Sequence, residues 1–243
     1  MMAILTGITK YDMVRQNLIK HAGVAGSQHK INLRDEIRSI GMDPSYGMPT
    51  LFLIRDDLFA LMANHQYHAD SLNAQDITDA TIQSRKEVND MIDKLRKKGG
   101  IWKDLRIVAT SEQIGMREGR RIKGLYTVSK EDLIKGSRFD DGVCTVKFSV
   151  DIHSLDGKGD KGYGNDGVKV KPYDIPLRSL ISSEVGGLMM AGRCISGDFF
   201  AHASYRVTGN AVAMGEAAGK VAAKAALTNR LAHEVNWKEV DKA

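Results

Sequence analysis

Cysteine is scarce: the 243 residues hold 2, Cys144 and Cys194, far apart and in no CxxC or other ligand spacing. That excludes a cysteine-bound metal cluster and leaves two thiols expected to be buried. Long apolar runs are lacking as well. The most apolar stretch, Val207 to Leu227, carries Glu216, Lys220 and Lys224, charges too costly for the middle of a bilayer. Met1 to Lys10 has no basic segment ahead of an apolar run, so no signal-peptide pattern opens the sequence. Aromatics make up 6% and do not interleave with a basic stripe, which argues against a nucleic-acid surface. The excess of 35 basic over 30 acidic side chains is small and reads as solvated surface. Its densest run, Lys94 to Lys98, falls at a predicted helix end, where cations complement the macrodipole. Repeats, low-complexity tracts, P-loop, EF-hand and Ser-His-Asp patterns are all missing. A cytoplasmic protein with neither membrane nor nucleic-acid partner is expected.

What is present is an ordinary globular composition, 42% hydrophobic and 27% charged, enough for one large domain or two small ones. Residues 1–46 read as a polar helical segment, with helices expected over Tyr11 to His21 and Leu33 to Ile40. Thr50 to Arg55 and Leu58 to Ala63, parted by Asp56-Asp57, have the pattern of a tight β-hairpin. Asp76 to Lys98 is the clearest helix. Val88, Met91, Ile92 and Leu95 recur at helical spacing, and Gly99 suits the position after its end. Two roles are open to that helix, covering a sheet or joining a homo-oligomer. Leu105 to Thr110 reads as a strand, and Ser129 with Asp132 as the capping box of a short helix closed by Gly136. Val143 to His153 alternates, with Cys144, Val146, Phe148, Val150 and Ile152 on one face, as in a half-buried antiparallel strand. Gly187 to Ala191 reads as a buried strand, followed by a loop, Cys194 to Ser204, and a helix from near Arg206. Residues 47–174 are read as a substrate or cap domain, and residues 175–243 as a further segment.

Gly157-Lys-Gly-Asp-Lys-Gly162 matches GxGxxG by letter only. A dinucleotide fingerprint leaves a strand and opens a helix, and Tyr163-Gly-Asn-Asp-Gly167 is no helix start. The run is read as a loop near substrate. Ala211, Gly215, Ala218 and Ala222 share one helix face, small enough for close approach to a sheet or a flat ring. The first-turn amides of that helix have no partner within it and suit an anionic ligand edge. A tightly packed structural helix explains the same spacing. Arg120 and Arg121 suit an anionic substrate or an exposed strand. Asp151 and His153 share a strand face. His65 and His68 lack a third ligand, so no metal site is expected.

Ile175-Pro-Leu-Arg-Ser-Leu180, Leu188-Met-Met-Ala-Gly-Arg-Cys-Ile-Ser196, Ala203-Ser-Tyr-Arg-Val207 and Met214-Gly-Glu-Ala-Ala-Gly219 resemble the closing region of bacterial FAD-dependent oxidoreductases. These are related to the glutathione-reductase-like flavoproteins. Arg117-Glu-Gly-Arg-Arg-Ile122, with Tyr126-Thr and Glu131-Asp132 after it, resembles the arginine-rich segment of the same family. The resemblance implies an α+β / α/β fold: an antiparallel substrate-domain sheet with helices, plus the closing strand and helix of an incomplete FAD-binding Rossmann-like domain over 175–243. It implies FAD as cofactor, with Gly192 and Arg193 by the ribityl or pyrophosphate portion. Arg206, Val207, Thr208 and Gly209 would form a helix start facing the flavin. Beside a flavin so placed, His202 is the candidate acid or base, and Arg206 and Arg121 are candidates for holding an anionic substrate.

Members of that family open with a βαβ unit bearing GxGxxG, and this sequence has none. The expectation is therefore the C-terminal part of an FAD-dependent oxidoreductase acting on a small organic substrate. It would be inactive until joined by an N-terminal FAD-binding portion or separate subunit, where any targeting signal would lie. The alternatives are a non-catalytic subunit or binding module that kept the fold, and a small-ligand binder built on the sheet alone.

Overall fold

The computed structural model describes residues 1–153 and 163–240, so the Gly157 to Gly162 run lies outside the described residues. Among them the chain divides into two compact units. One takes Met1–Met116 with His153, the other Arg117–Ile152 with residues 163–240.

The first unit is a four-stranded antiparallel sheet, order β2-β3-β1-β4, from β1 (Met2–Thr6), β2 (Thr50–Arg55), β3 (Leu58–Met62) and β4 (Arg106–Thr110). Ala3 lies opposite Leu61 and Leu5 opposite Phe59, and Leu61 lies opposite Leu51. The two-residue period puts these side chains on one face. Helices α1 (Lys10–Arg15), α2 (Gln28–Ser39) and α3 (Ala74–Lys98) supply Met13, Leu33, Ile37, Val88, Met91, Ile92 and Leu95 to the same core. The long helix thus covers the sheet. Asn73 caps its start by accepting from the Gln75 amide at 2.9 Å, and Arg96, Lys97 and Lys98 fill its last turn. β2 is an edge strand, and its Phe52, Leu53 and Ile54 are all exposed.

Three expectations for this unit need correction. Met2–Thr6 is a strand in the sheet interior, where pairing on both sides overrides the polar character of its surroundings. The helix expected to His21 stops at Arg15, because Asn17 takes a left-handed φ of 53°. α2 begins at Gln28, ahead of the expected Leu33.

In the second unit β5 (Gly142–Val146) pairs with β8 (Tyr173–Pro176). The two-residue strands β6 (Ile152–His153) and β7 (Tyr163–Gly164) flank the residues not described. α4 (Lys130–Lys135) opens with the expected capping box, the Ser129 amide donating to Asp132 Oδ2 at 2.9 Å, and ends at Gly136 in a left-handed conformation. α5 (Phe199–Tyr205) and α6 (Thr208–Thr228) complete the unit. Its core joins Val128, Leu133, Val146, Tyr173, Ile175, Tyr205 and Met214. The Tyr173 hydroxyl donates to Ser204 Oγ at 3.0 Å, and Ser204 Oγ donates to the Phe148 carbonyl at 2.6 Å.

That last bond explains a departure. The strand expected over Val143 to His153 breaks after Val146, because the 148–151 backbone turns to α5: Ser204 takes the Phe148 carbonyl, and the Asp151 amide donates to the Ala203 carbonyl. Phe148 is exposed as a result. Gly187 to Ala191 is no buried strand either; it is open or half-buried, with an isolated bridge from Met189 to Ile181 in place of a ladder. The loop expected at Cys194 to Ser204 contains α5, whose cap Asp198 accepts from the Ala201 amide at 2.8 Å. Of the thiols expected to be buried, Cys144 is half-buried and pushed up to about 11 by desolvation, while Cys194 is exposed.

The described residues contain no helix long and apolar enough to cross a membrane. Gly7 sits at φ +82°, and an added Cβ would lie 1.8 Å from the Asp104 carbonyl oxygen. Gly7→Ala is expected to lose more than the roughly 1–2 kcal/mol of a left-handed backbone alone. Urea denaturation measures it, and a stability equal to the parent's would contradict this close approach.

Candidate functional site

α5 and α6 meet at Arg206, which ends the one and precedes Val207, the N-cap of the other. His202 lies one turn before Arg206 on α5, since the Arg206 amide donates to the His202 carbonyl at 3.2 Å. That spacing brings imidazole and guanidinium to the same side. Arg206 is 9% exposed and fully engaged on two fronts. Nη2 donates to the Asp151 carbonyl at 2.6 Å, and Nη1 donates to Glu118 Oε1 at 3.1 Å. Arg117 lies 3.7 Å from the Asp151 carboxylate.

His202 is 1% exposed, with its Nδ1 3.3 Å from the same Glu118 oxygen. The distance is that of a polar contact, but Nδ1 makes no well-aligned hydrogen bond. The pair is an electrostatic contact. The Glu118 carboxyl is held below the ordinary carboxylate range, chiefly by His202, with Arg206 and Arg121 adding positive charge and partial burial opposing them. Arg121 Nη1 donates to the Asp198 carbonyl at 3.2 Å, tying the same segment to the start of α5.

Of the expected cofactor-binding residues, Gly192 is buried at φ +70°, where an added Cβ would stand 3.2 Å from Ala211 Cβ. It lets the 192–194 turn lie against the first turns of α6. Arg193 is exposed. Val207 is extended and half-buried, and Thr208 and Gly209 are exposed. α6 has no side-chain cap and no acidic residue in its first turn, and space is open beside Gly209. The structure thus groups His202, Arg206 and Arg121 through one segment, and sets Gly192, Val207, Thr208 and Gly209 around one helix start.

The sequence reading missed Glu118, which stood in view among Arg117, Arg120 and Arg121 but drew no attention as their counter-charge. Asp151 meets Arg117 and Arg206, whereas the His153 ring lies 5.0 Å from that of His65, between centroids. His65 packs on Tyr46 at 4.4 Å and His68 is exposed at a left-handed φ of 61°. Among the described residues no three metal-ligating side chains gather.

Arg206→Ala is expected to destabilise the second unit by about 1.5–3 kcal/mol for each charge-assisted hydrogen bond removed, read by urea denaturation. Because the folded Glu118 carboxyl is depressed, its contribution is present above the unfolded carboxylate value and is lost as pH falls through the lower folded value. Glu118→Gln should flatten that acid-side loss in a pH series. An unchanged acid limb would contradict the pairing.

A family model described as FAD dependent oxidoreductase matches residues 14–243. No curated protein and no solved structure matches the chain.

Proposed function

The chain belongs to the FAD-dependent oxidoreductase family, with FAD as cofactor, and from that premise we propose that it serves hydride exchange between a small organic substrate and the flavin at the start of α6. The observation that carries the placement is the bare helix start. Thr208 and Gly209 are exposed, no side chain caps them, and no carboxylate stands in the first turn to repel an anion. Helix amides so placed favour negative charge at the flavin's pyrimidine edge, and nothing stands within 4 Å of a Cβ built on Gly209 to bar close approach. The residues present therefore fit the group. Val207, Thr208 and Gly209 would hold it by backbone, with Gly192 and Arg193 toward the ribityl and phosphate portion. Bound there, FAD supplies the hydride acceptor or donor.

The remaining roles fall to this chain's side chains. His202 exchanges the substrate proton. Arg206, committed to Glu118 and Asp151, fixes the geometry of the helix start. Arg121 and the exposed Arg120 attract an anionic substrate. The second unit is proposed as the closing part of a Rossmann-like FAD domain of the glutathione-reductase type. Its pyrophosphate grip would come from a glycine-rich βαβ segment additional to residues 1–243. The support lies on α6: Ala217, Val221 and Ala225 are buried against Leu177, Ile181, Val235 and Trp237, and Met214 is buried in the core with Tyr173 and Tyr205. The opposite side, with Val212, Gly215, Gly219 and Ala222, is exposed, and nothing stands within 4 Å of a Cβ built on either glycine.

The test is purification of the natural gene product with any chain that accompanies it. A yellow protein with flavin absorbance is expected, and a product that stays colourless after FAD is added overturns the reading. Gly215→Phe with Gly219→Phe should leave the helical circular dichroism unchanged and abolish flavin retention. Retention equal to the parent's would remove the docking role of α6.

A further inference from the structure

His202 is enclosed in the second unit, 1% exposed, and its ring stands edge-on to Tyr205 with centroids 5.6 Å apart. Among the described residues, the carboxylate oxygen nearest to either ring nitrogen is Glu118 Oε1, 3.3 Å from Nδ1. Nδ1 is enclosed and has no hydrogen-bond partner in the strict geometric sense. An ionised carboxylate only accepts, so a lone pair on Nδ1 would face negative charge, whereas an N–H there is attracted to it. Arg206 Nη1 sits 3.1 Å from the same oxygen, which keeps the carboxylate turned toward both partners. The Arg121 guanidinium adds positive charge at Glu118, and the Asp151 carboxylate lies 3.7 Å from Arg206 Nη2.

We propose that Glu118 is a positioning residue that keeps the ring proton of His202 on Nδ1, so that Nε2 is the nitrogen that exchanges protons. Its importance for turnover rests on the function proposed above; the assignment of the tautomer does not. Free imidazole of histidine prefers the proton on Nε2, so the arrangement reverses the ordinary preference, and the two ring nitrogens are distinguishable.

Nitrogen-15 imidazole spectra of the full natural product, recorded with and without FAD, test the proposal. The parent should show neutral His202 with the proton on Nδ1. In Glu118→Ala it should move to Nε2. Glu118→Asp should restore part of the Nδ1 population. A parent already protonated on Nε2 overturns the proposal without any variant, as does a folded Glu118→Ala whose tautomer is unchanged. A colourless protein would refute the flavin placement and leave this result standing. In a flavin-loaded protein, Glu118→Ala should shift the acid limb of the pH profile of flavin reduction; an unmoved limb would deny His202 its part in turnover.

Discussion

The guanidinium of Arg206 bonds at once to the Asp151 carbonyl and the Glu118 carboxylate, groups 55 and 88 residues away along the chain. The geometry of the second unit's site depends on that one fork. It holds the broken strand end at 148–151 against the end of α5, where the backbone has left its ladder and needs other partners. It also fixes the carboxylate that faces His202. A buried guanidinium with two oxygen partners is costly to leave half-satisfied, so the start of α6 inherits its position from a residue committed to two partners distant in sequence.

α6 shows how one helix serves two environments. Its buried stripe runs through Met214, Ala217, Val221 and Ala225, while glycines and alanines on the other side stay open. The small-residue face expected from Ala211, Gly215, Ala218 and Ala222 straddles these two. Ala211 meets Gly192, a Cβ built on Gly215 finds nothing within 4 Å, and Ala222 is exposed. A helix poor in polar side chains along an exposed side is incomplete as a surface.

Legibility in the sequence followed the range of the forces involved. The β2–β3 hairpin, α3 and the capping box of α4 are set by neighbours a few residues apart, and their patterns announced them. β1 was hidden because five residues carry too little periodicity, and only pairing with β3 and β4 makes Met2–Thr6 a strand. α5 was hidden in a presumed loop, although Asp198 three residues before the Ala201 amide is a readable cap signal. In the site, Arg206 and His202 were found through their place beside a helix start. Glu118 was not, because its meaning comes from residues 84 and 88 positions later, a proximity no local pattern carries.

The edge strand β2 has its own consequence. Phe52, Leu53 and Ile54 present apolar side chains beside a row of unpaired backbone donors and acceptors, a template for a foreign strand. Arg55, Asp56 and Asp57 follow at once, and their charges are exposed. Any recruited strand would therefore be short and held in one register by the charged corner, which limits how far unwanted sheet growth, and with it fibre-like association, would propagate along this margin.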